Sequence, residues 1–72
     1  MTGAEKINKM VAMIERHGLV HIRMANGRLT PLSAWRAKAG EQIQFSCAHR
    51  GIIESFDAER ADREIVKVFG DD

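Results

Sequence analysis

Apolar residues recur at three- and four-residue spacing through the first segment. Ala4, Ile7, Met10, Val11 and Ile14 form one stripe, as in a helix that buries a single face. Thr2 and Glu5 stand at the spacing of a capping box, in which each side chain satisfies the other's orphan amide. Arg16 and His17 complement the dipole of the last turn, and Gly18 supplies the stop. The pattern predicts a helix over 4–17. From residue 19 the period changes to two: Val20, Ile22 and Met24 alternate with His21, Arg23 and Ala25, the signature of a half-buried strand. Asn26-Gly27 predicts a two-residue type I′ hairpin turn. That turn pairs Ala25 with Arg28, Met24 with Leu29 and Arg23 with Thr30. Leu29 then joins Val20, Ile22 and Met24 on the core face, while His21, Arg23 and Thr30 share the other.

Residues 30–40 read in two ways. Thr30-Pro31, the apolar positions Leu32, Ala34, Trp35, Ala37 and Ala39, and Gly40 suit a short capped helix. They equally suit a second strand that continues through Leu32 and bends at Trp35, with Pro31 at an edge or bulge. The strand reading is preferred. Ile43, Phe45 and Cys47 alternate with Gln42, Gln44 and Ser46 as a clear strand. His49-Arg50-Gly51 reads as a tight turn, and 52–56 as the returning strand. At the end, Ala58, Ala61, Ile65 and Phe69 fit a helix, whereas 65–69 alone would make a short closing strand. The expected fold is α+β: an N-terminal helix, then a small antiparallel four- to five-stranded, partly closed barrel of the SH3/Sm-like kind. Residues 1–72 are expected to form a single domain: helix 4–17, a β-rich body over 19–69 and a short acidic tail at 70–72.

Some segments carry a family likeness. VHIRMANG, Val20 to Gly27, resembles the first strand and turn of Hfq-type RNA chaperones, and GIIESFD, Gly51 to Asp57, resembles their second strand. The segment between the two is longer here. The Rho-binding antiterminator family Rof, with a helix, a V-x-I-x-x-x-(D/N)-G hairpin and a longer connection, is similar in spacing. WYL-type domains are similar in their closing G-x-x-R-x-F-x-x-x-R-I stretch. Phe56 and Arg60 match it, but Glu54 stands where that pattern has arginine, and the Trp-Tyr-Leu tripeptide is absent. These resemblances imply a module that binds nucleic acid or the protein machinery handling it.

At 72 residues the chain has room for one modest core, and the usual staples are missing. One cysteine and three scattered histidines show no zinc spacing. No metal or cofactor is expected. No apolar run could span a membrane and no signal peptide is seen. A lone thiol suits a reducing, cytoplasmic setting. A chain this short with open sheet edges is expected to self-associate. The net charge of +1 conceals an asymmetry. Over 1–50, eight cations face three carboxylates, +5; over 51–72, three cations face seven carboxylates, −4.

Candidate chemistry is sparse. Cys47 and His49 share a strand face, but Cys47 is in phase with Ile43 and Phe45, so it reads as a small buried residue rather than a nucleophile. No phosphate loop or Ser/His/Asp order is present, and a non-enzymatic role is expected. Two binding surfaces follow from charge. The acidic set Glu54, Asp57, Glu59 and Asp62 suits capture of a host protein complex that handles nucleic acid, in the manner of a phage or mobile-element inhibitor of the anti-CRISPR or Rho-inhibitor type. Alternatively, the basic set Arg23, Arg28, Arg36, Lys38 and Arg50 suits direct binding of RNA or single-stranded DNA, with Trp35 stacking on a base. Trp35 reads more simply as the plug of the core.

Overall fold

The structure, a computed structural model, describes residues 1–37, 40, 42–47 and 51–70. The elements run α1 (Gly3–His17), β1 (Val20–Met24), β2 (Leu29–Leu32), β3 (Ala34–Ala37), β4 (Ile43–Cys47), β5 (Ile52–Phe56), α2 (Ala58–Glu64) and β6 (Ile65–Phe69). The fold is α+β, with all strand pairs antiparallel. The strands do not close into the expected barrel. They form two three-stranded sheets, ordered β2-β1-β6 and β3-β4-β5. Ser33 is the only residue between β2 and β3, so the chain changes sheets there. The turn at His49-Arg50 and the tail beyond Gly70 lie outside the described residues.

The capping box forms as predicted. The Thr2 amide donates to Glu5 Oε1 at 3.1 Å, and the Glu5 amide donates to Thr2 Oγ1 at 3.2 Å. These bonds hold the Glu5 carboxyl below its usual range, the backbone one most strongly. Gly18 closes the helix in the left-handed region at φ 76°, where a side chain would be strained. The buried stripe of α1 is Gly3, Ile7, Met10, Met13 and Ile14; Ala4 faces solvent and Val11 is half-buried.

The hairpin forms one residue out of the predicted register. Arg23 pairs with Leu29, Ile22 with Thr30, His21 with Pro31 and Val20 with Leu32. Asn26 does not adopt positive φ, so the type I′ turn is not made; only Gly27 does, at 88°. The loop is Ala25-Asn26-Gly27, closed by Met24 N–H to Arg28 O at 2.8 Å, the three-residue hairpin with glycine in the left-handed position. Asn26 Oδ1 accepts from the Arg28 amide at 2.9 Å and steadies it. A one-residue slip exchanges the faces of a strand. Leu29 therefore points outward, 48 % exposed, while Thr30 is 2 % exposed in the core.

Thr30 Oγ1 is buried with no hydrogen-bond partner, which costs free energy. Thr30→Val is expected to stabilise the protein by about 1 kcal/mol, read from urea unfolding midpoints at constant slope. A destabilised Val variant would mean that the hydroxyl has a partner.

The core unites Met10, Val20, Ile22, Leu32, Phe45, Phe56, Ile65 and their neighbours from both sheets and α1. Cys47 is buried, as expected. Trp35 is not the plug of the core. It lies on the edge strand β3, 37 % exposed, and Phe45 and Phe56 fill the interior instead. The final stretch combines its two alternative readings: the helix stops at Glu64 instead of running through Phe69, and the closing strand Ile65–Phe69 follows it directly. Asp57 caps α2 by accepting from the Arg60 amide at 2.7 Å, and β6 then pairs with β1. No helix among the described residues is long and apolar enough to cross a membrane.

Candidate functional site

Alternation along β1 buries Val20, Ile22 and Met24 and turns His21 and Arg23 outward. Cross-strand partners share a face. The outer face of the β2-β1-β6 sheet is therefore built of two rows, Pro31–His21–Phe69 and Leu29–Arg23–Lys67. A register shift sits opposite Arg23/Met24. It places Val66 and Lys67 side by side toward solvent, where strict alternation would have buried one of them. Lys67 Nζ lies 4.9 Å from the Phe69 ring centroid, a cation–π contact. Arg23 Nη1 donates to the Gly27 carbonyl at 2.8 Å, which holds the guanidinium by the hairpin loop. None of the outward residues in these two rows is a carboxylate. The face combines rings, aliphatic surface and positive charge.

The second sheet also has an open outer face. Ala34, Ser46 and Ile53 form one cross-strand row, and Ile53 is 62 % exposed. These residues, with Trp35, Arg36, Gln44 and Phe45, line a shallow hollow of about 250 Å³.

The acidic residues are divided between structural and exposed roles. Glu54 is half-buried and receives two arginines, Arg60 at 3.4 Å and Arg28 at 3.8 Å. Asp57 is the cap of α2. Glu59 and Asp62 are exposed on α2, with Arg63 3.6 Å from Glu59. Arg60 organises this region. Its Nε donates to Glu64 at 2.9 Å, its Nη1 to the Ser55 carbonyl, and its guanidinium carbon lies 4.6 Å from the Phe56 ring centroid. The bond from Arg60 holds the Glu64 carboxyl below its usual range, and the same bond raises Arg60 further.

Of the basic set read from the sequence, the structure places Arg23 on the outer face of the first sheet, Arg28 beside Glu54, and Arg36 and Trp35 on β3 of the second. Lys38 and Arg50 lie outside the described residues, as does His49. Arg23 is thus separated from Arg36 and Trp35 by the change of sheet. Lys67 and Phe69 were missed as site residues. The signal for them was the closing strand 65–69, but the bulge that turns both outward leaves no mark in the periodicity. Among the described residues, no group of three His, Cys, Asp or Glu side chains is placed to hold a metal ion. Compared with protein-family models, curated proteins and solved structures, the chain finds no match.

Proposed function

We propose that this protein is a small non-catalytic binding module that takes single-stranded RNA or DNA on the outer face of the β2-β1-β6 sheet. The observation that carries the reading is the pair of rows Pro31–His21–Phe69 and Leu29–Arg23–Lys67, cationic and aromatic without a carboxylate. Bases need flat apolar partners and phosphates need cations, and single-strand binders supply both on one surface. Phe69 and His21 offer the ring faces. Arg23 and Lys67 stand beside them to meet phosphates, with Leu29 and Pro31 covering sugar and base edges.

Fluorescence anisotropy with labelled oligonucleotides tests this. Phe69→Ala is expected to raise Kd about tenfold or more, the scale of one lost base stack. Lys67→Ala should weaken binding to all sequences alike and flatten the slope of log K against log salt by about 0.7. Binding that ignores both substitutions, or no binding to any oligonucleotide, overturns the reading.

A second reading, an inhibitor that captures a protein of the nucleic-acid machinery, is supported by the exposure of Glu59 and Asp62 on α2. It expects charge reversal at those two positions to abolish stoichiometric capture of a protein partner while Phe69→Ala leaves it intact. The engaged pair Glu54 and Asp57 belongs to the stability of the fold under either reading.

A further inference from the structure

We propose that a strand bound on the sheet face continues over the β6 edge into a second basic groove along α1, so that the binding site wraps around β6. This rests on the single-strand reading above, but a separate feature carries it. Beyond β6, which has no further strand beside it among the described residues, lies a groove of about 390 Å³ lined by Met1, Lys6, Lys9, Val66, Lys67 and Val68. Among the described residues that line it, half are lysines and none is a carboxylate.

The groove and the face are continuous, because Lys67 belongs to both. The bulge creates this continuity. It sets Val66 outward, 63 % exposed, beside Lys67, so the edge of the sheet is a low apolar sill flanked by cations. Lys6 is held in place because its Nζ donates to the carbonyls of Asp62, at 3.3 Å, and Ile65 at the end of α2. Lys9 follows three residues later on the same side of α1.

Geometry favours such an extension. A sheet of three strands is about 10 Å wide, and even the four-stranded sheets of RNA-binding modules stack only two or three bases. Small single-strand modules occupy about 4–16 nucleotides. A longer ligand must leave the face, and the β6 edge offers positive potential for its phosphates with apolar side chains for its sugars.

The experiment compares a trinucleotide, which fits the face, with a decanucleotide, which must leave it. Lys9→Glu and Val66→Glu are the variants; both spare the α2 contacts of Lys6. Binding is followed by anisotropy for the longer ligand and by amide shift changes for both. Each variant is expected to weaken the decanucleotide about tenfold or more and to leave the trinucleotide at the wild-type value. The decanucleotide alone should shift the amides of Lys6, Lys9 and Val66. If the trinucleotide binds normally and the decanucleotide is indifferent to both variants, the groove proposal is overturned and the sheet-face reading stands. If neither oligonucleotide binds the wild type, both fall. Should Val66→Glu lose its folded circular dichroism, Lys9→Glu decides.

Discussion

Gly3→Ala is expected to destabilise the protein by about 3 kcal/mol, the upper part of the range for overpacking. The sign is opposite to the usual rule, since alanine in a helix normally stabilises relative to glycine by about 0.5–1 kcal/mol. Gly3 is buried in the first turn of α1, where α2 crosses it backbone to backbone. A Cβ at Gly3 would stand 1.8 Å from the Ala58 carbonyl oxygen and 2.7 Å from the Asp62 amide nitrogen. Neither is the end of a flexible side chain, so one helix must move. If α2 retreats, Lys6 loses the carbonyls of Asp62 and Ile65, and Ala61, fully buried, leaves its seat. If the first turn of α1 unwinds, the capping box of Thr2 and Glu5 opens. For a domain of this size the loss corresponds to a fall in Tm of at least about 10 °C. Differential scanning calorimetry reads it, and a Gly3→Ala protein melting at or above the wild type would show that the helices do not meet this closely.

That contact shows where sequence reasoning stops. α1 was legible because a helix declares itself locally, through a stripe, a capping box and a terminal glycine. β1, β4 and β5 were legible because alternation is local too. What escaped depends on single-residue choices between near-equal alternatives. Asn26-Gly27 suits a two-residue turn, yet the chain uses Gly27 alone in the left-handed region, and that one extra loop residue moves Leu29 out and Thr30 in. β6 contains a bulge that sends Lys67 and Phe69 to the same face as Arg23. The candidate site was therefore only half visible. His21 and Arg23 were read as outward neighbours, while Leu29, Pro31, Lys67 and Phe69 join them only through the slip and the bulge. The change of sheets at Ser33 is likewise non-local, and it separates Trp35 and Arg36 from Arg23. The partly closed barrel expected from the order of the elements presupposed that these strands would close on one another, and the change of sheets at Ser33 leaves them in two sheets.

The acidic C-terminal third shows the same dependence on tertiary placement. Read as composition it is a run of carboxylates. In the structure Arg60 draws Glu54 and Glu64 together, and Arg63 stands near Glu59 and Glu64. The Arg63 pairs are exposed and contribute little to stability, whereas those of Arg60 are half-buried. Their consequence is that the region is a mixed-charge surface, while the carboxylate-free face lies on the other sheet. The opposition of charge inferred from the two halves of the chain survives in altered form: Lys67, from the acidic segment, completes the basic face, and Glu5, from the basic segment, is spent on a helix cap.

Phe56→Ala is expected to have the largest effect, a loss of about 4 kcal/mol, within the range for truncating a buried phenylalanine. Domains of this kind have about 0.05–0.15 kcal/mol of stability per residue, roughly 4–11 kcal/mol for a chain of 72 residues, so the substitution removes about a third of the stability or more. The location of Phe56 makes the cost hard to relieve. It is fully buried at the end of β5 and packs on Phe45 with ring centroids 6.2 Å apart at 57°, a tilted pair that adds to simple burial. The next residue, Asp57, caps α2, and Arg60 returns from that helix to stand over the Phe56 ring. Removing the ring opens a cavity between the sheets and takes away the surface on which Arg60 rests, so α2 loses its registration against β5. Phe56→Leu separates the two effects. Leucine keeps most of the volume and removes only the aromatic contacts, for an expected loss of about 1.5 kcal/mol. Urea unfolding of the two variants beside the wild type makes the comparison. A cooperative Phe56→Ala transition within about 1 kcal/mol of the wild type would mean that this ring is not what joins the second sheet to α2.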